Sequence, residues 1–430
     1  AQFPAHIAAD GNELKLRYSI GTAGGRPSFA AQYETWNVSS GVVSKGTLGN
    51  KDLRPENSAE QELGLEIGFF DRFLFELVYA KNVTKDQILQ IPLAGFYGYG
   101  SQWKNAGTLE SNTIEASLKA FIIQTGDMSW SANLMFDRTR QKITEFDLPP
   151  YRTGPSNSFY VRKDEVLGAM YGDKWMKSPD DLPAALQQYR DRYQVNDDGY
   201  LVYVGAGNSF RDGISKKWWG TVDTIMSTSS YFNLPGRYIT AWGMPIKFQD
   251  ADPLVGDFVS IGNVVPDFNI AFSSTFRLGG FTAYALFDAQ IGGQIYNQTR
   301  QWNLREHVGG EVDHVGKTEE TKKPINYYTT LYSTNATNSH FVENGDYLKL
   351  RELAIRYTFD RADLQSFFGS WFNRITLGVV GRNLVTWTKY KGYDPEVGQT
   401  TGQGDAVTFR FDGFTYPNFR TFTGNLEIEF

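Results

Sequence analysis

The 430-residue sequence contains no cysteine. A disulfide framework, thiolate metal sites and thiol redox chemistry are therefore excluded at the outset. Histidine is scarce: His6, His307, His314 and His340 are the four copies, and none stands at metal-ligand spacing from another. No apolar stretch approaches the ~18 residues that a helical span needs, and mean hydropathy is -0.40. A helical membrane protein is excluded, whereas a membrane barrel is not, because its lumen and loops are polar. Basic tracts are absent and the net charge is -6, so nucleic acid is not an expected partner. No nucleophile elbow, phosphate-binding glycine loop or His-Glu-x-x-His pattern occurs, and neither catalysis nor a cofactor is expected. A charged-then-apolar leader is missing at Ala1, which reads as a removed export signal or a start partway through a longer protein.

What the chain has is aromatic residues, 15% of the total, 43 glycines, and a repeated two-residue rhythm. It ends in Asn425-Leu426-Glu427-Ile428-Glu429-Phe430, with Leu426, Ile428 and Phe430 on one face of a strand and the polar residues on the other. The same one-sided pattern recurs in Leu14, Leu16, Tyr18 and Ile20, in Leu63, Leu65, Ile67 and Phe69, in Ile114 to Ile122, and in Met128 to Phe136. Each run is about the 9 to 11 residues that a tilted strand needs to cross a bilayer. Tyr18, Phe69, Phe73, Trp130, Phe268, Phe276 and Phe281 stand near the ends of apolar faces, where interfacial girdles lie in membrane barrels. A large soluble β-sandwich also alternates, so the connections must separate the two readings.

The connections are strongly asymmetric. Short links at Gly68 to Arg72, Gly126-Asp127 and Gly279-Gly280, and a longer one at Asp360 to Asn373, join strands at one end. The other end carries Thr22 to Asn57, Lys85 to Thr108, Gln141 to Asp267, Gly292 to Asp346 and Thr388 to Arg420. Tight periplasmic turns opposite long extracellular loops are the habit of outer-membrane barrels, and a sandwich has no reason for them. About ten strands are predicted, at 14–21, 58–68, 72–83, 109–123, 128–139, 268–278, 281–290, 347–359, 374–386 and 421–430, with both chain ends on the periplasmic side. Ser178-Pro179-Asp180-Asp181 predicts a capped helix running to about Arg192, and Asn196-Asp197-Asp198-Gly199 a turn. Leu348 and Leu350 share a face with Leu353, Ile355, Tyr357 and Phe359 only if a β-bulge absorbs one residue near Arg351-Glu352.

Two long motifs carry a family resemblance. Phe341-Val342-Glu343-Asn344-Gly345-Asp346-Tyr347-Leu348-Lys349-Leu350-Arg351-Glu352-Leu353 and Gly381-Arg382-Asn383-Leu384-Val385-Thr386-Trp387 through Tyr393-Asp394-Pro395-Glu396 resemble the SusC/RagA-type TonB-dependent transporters. Weaker matches follow in order at Leu14 to Gly21, Gly49 to Glu56, Val265 to Asn297 and Tyr416 to Phe422. The resemblance implies an all-β, antiparallel transmembrane β-barrel of roughly 22 strands filled by a plug. Residues 1–430 would then be its C-terminal portion, with long loops 141–267, 292–346 and 388–420. No segment resembles the plug or the TonB box. A closed ten-stranded barrel is the alternative.

By that resemblance the chain serves TonB-dependent import of a large nutrient, an oligosaccharide or peptide, into a bacterial cell across its outer membrane. Its implied partners are a SusD-like surface lipoprotein, the TonB complex acting through the missing N-terminal part, and the lipid bilayer with its lipopolysaccharide. A non-transporting receptor or scaffold barrel is the other function class. Loop tryptophans Trp175, Trp218, Trp219, Trp242 and Trp302 are the ligand or partner candidates, because exposed rings stack on sugars or anchor surfaces; packing within the loops is their competing role. Asp250, Asp252 and Asp257, or Asn196, Asp197 and Asp198, lack the full calcium-loop spacing. Glu62, Glu66, Lys119, Arg351, Glu352, Arg356 and Arg382 are expected on the lumen face, packed against a plug.

Overall fold

The computed structural model of the protein describes residues 2–9, 12–214, 224–227, 237–240, 242–250, 258–369, 371–397 and 410–430. One antiparallel sheet forms the wall. Its strands, in chain order, are β1 (Gln2–Ala9), β2 (Asn12–Gly25), β3 (Glu56–Phe69), β4 (Phe73–Lys85), β5 (Thr108–Gln124), β6 (Met128–Glu145), β7 (Pro266–Leu278), β8 (Phe281–Gly292), β9 (Tyr347–Phe359), β10 (Arg374–Thr388) and β11 (Thr421–Glu429). Each pairs with its sequence neighbours, and among the described residues β1 and β11 have one neighbour each.

All ten predicted strands are present, and the structure adds β1. Its sequence, QFPAHIAA, carries a proline and several alanines, so it lacks the bulky alternation that marks a strand. Pro4 is tolerated because β1 lies at a sheet edge, where one row of backbone groups needs no partner from the sheet. The pairing Ala9 with Asn12 puts the β1–β2 turn on the short-turn side, and Gln2 lies opposite Ser19. Only the Phe430 end therefore lies on the short-turn side; the expectation for both ends fails at Gln2.

Register turns the alternation into continuous belts. Leu14, Ile67, Phe75, Leu118, Leu134, Phe272, Phe287, Leu350 and Val385 stand opposite one another across nine strands. The next row holds Lys15, Glu66, Glu76, Ser117, Met135, Ala271, Asp288, Lys349 and Thr386. One face is thus an apolar band and the other is mixed and charged, as the two-residue side-chain period requires. The predicted bulge is found: Leu350 and Glu352 pair with adjacent residues on β8, and Arg351 is the extra residue. On the apolar face near the short turns, Trp130 stands opposite Phe276 and Phe281 opposite Tyr357. Charges on the other face pair within the wall: Lys15 and Arg17 with Glu66, and Arg382 with Glu352.

The long connections fold. Tyr151–Thr153, Phe159–Val161, Ala169–Asp173 and Phe258–Asn263 form a four-stranded sheet, and Phe159, Met170, Trp175, Tyr296, Tyr327, Leu331 and Phe341 share a hydrophobic core. Ser178 and Asp181 make the predicted capping box. The helix it opens does not run on to Arg192: it is three short pieces, Pro179–Asp181, Ala184–Gln187 and Arg190–Arg192. Pro183 holds extended geometry between the first two, since its ring cannot supply a helical hydrogen bond. The predicted turn is present, with Asn196 Oδ1 accepting from the backbone N–H of Asp198 and Tyr200, at 3.1 and 3.0 Å, and Gly199 at φ 78°.

Candidate functional site

The two long motifs meet in space. Lys349, on the charged face of β9, donates to Asp394 at 2.6 Å and Glu396 at 2.7 Å, and its side chain is 1% exposed. One step along, the bulge brings Arg351 to the same group: its Nε donates to Asp288 at 2.8 Å and its Nη1 to Glu396 at 2.5 Å. Asn418 closes the far side, its backbone N–H donating to Asp394 at 3.2 Å and its amide to Glu396 at 2.9 Å. Burial would raise the Glu396 carboxyl, but the hydrogen bonds from Arg351 and Lys349 hold it down at about 2. This cluster fastens the segment after β10 to the wall.

A second cluster lines an open cavity of ≈ 530 Å³ in the loop layer. The helix Gln298–Arg305 supplies Arg300, and Ile325–Leu331 supplies Tyr327 and Tyr328 with Tyr332 just beyond. Tyr328 and Tyr332, four residues apart, lie one helical turn from each other. Arg300 is held by Glu311 and by Glu343 at 3.2 Å. The hydroxyl of Tyr327 donates to Asp198 at 2.6 Å, and Lys323 pairs with Asp197. Asp197 and Asp198, two of the acids considered for calcium, are therefore engaged by a cation and a phenol. Asp252 and Asp257 lie outside the described residues, and among the described residues no group of three or more His, Cys, Asp or Glu is arranged to hold a metal.

His340 sets the electrostatics of this cavity. Its Nε2 lies 3.3 Å from Arg300 Nη2 and its Nδ1 2.8 Å from the Tyr200 hydroxyl. A guanidinium can only donate, so Nε2 accepts and the neutral ring carries its proton on Nδ1, toward Tyr200. Removal from water and the Arg300 charge push the imidazole down to about 3, and burial pushes the Tyr200 phenol up to about 12. Both are neutral at pH 7, and the cavity offers donors, acceptors and aromatic faces around paired charges.

The His340 shift predicts an acid response. Its folded value lies below the ordinary ~6.5, so the stability it contributes is complete above that value and is lost as pH falls from 6.5 toward 3. At pH 5, above the ordinary carboxylate range, the loss is about 1–2 kcal/mol, or roughly tenfold more opening. Hydrogen exchange of residues 325–332, corrected for intrinsic rate, should show this excess between pH 7 and 5. His340→Gln should remove it.

Of the five tryptophans, Trp175 and Trp242 are 2% and 3% exposed, and both belong to the loop core. Their indole N–H groups reach Asn338 and the Ser209 carbonyl, each at 3.3 Å. They pack the loops rather than display rings to a ligand. Trp302 is 36% exposed, with the Arg305 guanidinium 5.0 Å from its ring centre; Trp218 and Trp219 lie outside the described residues. Sequence reasoning missed the cavity. The available signal was Tyr327-Tyr328 with Tyr332 at helical spacing, followed by His340.

Residues 9–305 match the family described as TonB dependent receptor-like, beta-barrel. The chain belongs to this family. TonB-dependent receptor P3 of Formosa agariphila is 27% identical over 97% of this chain and 39% of its own length. TonB-dependent receptor P39 of the same organism is 26% identical over 89% and 36%. The chain therefore spans about two fifths of the length of these relatives. Among solved structures, the RagAB peptide transporter is similar in fold, with TM-score 0.61 and 20% identity over 97% of this chain and 41% of that one. The RagAB peptide importer in its open-open state gives TM-score 0.64, with 20% identity over 100% and 42%. The wall is thus part of a TonB-dependent receptor barrel of the bacterial outer membrane, with its apolar belt toward lipid.

Proposed function

We propose that this TonB-dependent receptor chain forms part of the wall and the extracellular recognition layer of an importer for a peptide or oligosaccharide too large for a diffusion porin. The observation that carries this reading is the loop layer, which has its own hydrophobic core and a tyrosine- and ion-pair-lined cavity. Binding residues concentrate on loops held by a rigid scaffold, and a folded layer over the long-loop end of a barrel is placed to select cargo before it enters. The fold likeness to a peptide importer supports the same reading. Residues 1–430 are the C-terminal portion of a larger barrel: among the described residues eleven wall strands leave two edges that need further strands, because unsatisfied backbone groups at membrane depth cost several kcal/mol each. A SusD-like lipoprotein caps the loop layer, and TonB acts through a plug supplied by the N-terminal part.

Uptake tests this reading. Cells carrying the full-length protein should accumulate labelled peptides or oligosaccharides, and dissipating the proton gradient should abolish accumulation while leaving surface binding intact. Binding that never leads to uptake of either cargo, with the gradient intact, would establish a receptor or scaffold instead.

A further inference from the structure

Arg410 is 8% exposed and is lodged over two glycines: a Cβ on Gly293 would lie 3.0 Å from its Nη1, and one on Gly345 would collide with it. Its Nη2 donates to the carbonyls of Gly345 and Pro395 at 3.0 and 2.9 Å. Nη1 has no partner. Asp346 and Glu396 act on the guanidinium across space without a hydrogen bond to it. Leaving a buried charged donor unsatisfied costs about 1–3 kcal/mol or more, so such a group calls for an acceptor that the described residues do not supply.

The surroundings indicate which acceptor. Arg410 lines a cavity of ≈ 450 Å³ together with Gln290, Asp137, Asn269, Phe268 and Val265. Four buried side-chain atoms lack a partner among the described residues, and two of them, Arg410 Nη1 and Gln290 Nε2, belong to this one cavity. Both are N–H donors. Asp137, Asn269 and Gln290 occupy one register row on the polar face, and the Asp137 carboxylate already accepts from Asn269 at 2.8 Å. The open valences therefore ask for an anion, and the Asp137 charge in the same space disfavours a dianion. We propose that Arg410 and Gln290 form a subsite for a carboxylate on the polar face of the wall.

The proposal deepens the import reading by giving the cargo an acidic group, and rests on that reading for its physiological meaning. Binding itself needs no transport. Purified full-length protein in detergent would be titrated calorimetrically with N-acetyl-alanyl-alanine, its C-terminal amide, glucuronate, glucose and sulfate. A carboxylate probe should bind at least tenfold more tightly than its uncharged counterpart, and whether peptide or uronate is preferred identifies the source of the carboxylate. Gln290→Leu and Arg410→Gln should each weaken that binding about tenfold. If Arg410→Gln fails to fold for want of its two carbonyl bonds, Gln290→Leu decides alone. Equal binding of acid and amide, sulfate binding as tight as carboxylate, no binding of either carboxylate, or an unaffected Gln290→Leu would each overturn the subsite. Absent uptake with intact carboxylate binding would overturn the import reading alone.

Discussion

Lys349→Met should cost the protein about 3–5 kcal/mol, because it removes the buried ammonium that pairs with the buried Asp394, while half-buried Glu396 keeps Arg351 and Asn418. The Lys349 side chain is 1% exposed and that of Asp394 10%, so water cannot replace the lost partner. Full-length protein should lose its heat resistance at a lower temperature on electrophoresis, and protease should cut the 389–397 segment. Lys349→Met with Asp394→Asn and Glu396→Gln should recover part of the loss, since breaking a buried pair is costlier than removing it. Acid should loosen the same cluster from its carboxylate side. Glu396 titrates at about 2 in the folded protein, below its ordinary value near 4.3, so its contribution is present above that value and is lost as pH falls toward 2. An unchanged heat-resistance midpoint in Lys349→Met would show that the cluster does not hold the segment.

Leu118→Arg should destabilise the barrel by about 2–4 kcal/mol near the bilayer midplane, whereas Ser117→Arg should cost far less. Leu118 lies in the continuous apolar belt between Phe75 and Leu134. Ser117 lies in the next row and its hydroxyl donates to Glu76 at 3.2 Å, so an arginine there finds an acid. Denaturant titrations of the full-length protein folded into lipid bilayers compare the two. Equal penalties would reverse the assignment of faces.

The wall was legible because its physics is local. Period-two alternation fixes the face of every residue, and short glycine-containing turns mark where strands end; even the bulge at Arg351 followed from a broken phase. β1 was missed because Pro4 and its alanines suppress the same signal. The loop layer was far less legible. Trp175 and Trp242 are as bulky as any exposed anchor, and only long-range packing against residues such as Phe341 makes them core. Lys349 and Asp394 meet across 45 positions, and Arg300 reaches His340 across 40. No spacing rule predicts such meetings.

The bulge also limits which loops this wall can carry. Without Arg351, the outward series Leu348, Leu350, Leu353, Ile355 and Tyr357 would run on without interruption, and β9 would be a regular strand. The lipid-facing surface gains nothing from the extra residue. Its guanidinium bridges Asp288 of the wall and Glu396 of the loop layer, so the irregularity serves the loops alone. Chimaeras that exchange loops between such barrels should therefore carry this position with them, because a wall without Arg351 has no guanidinium to offer Glu396.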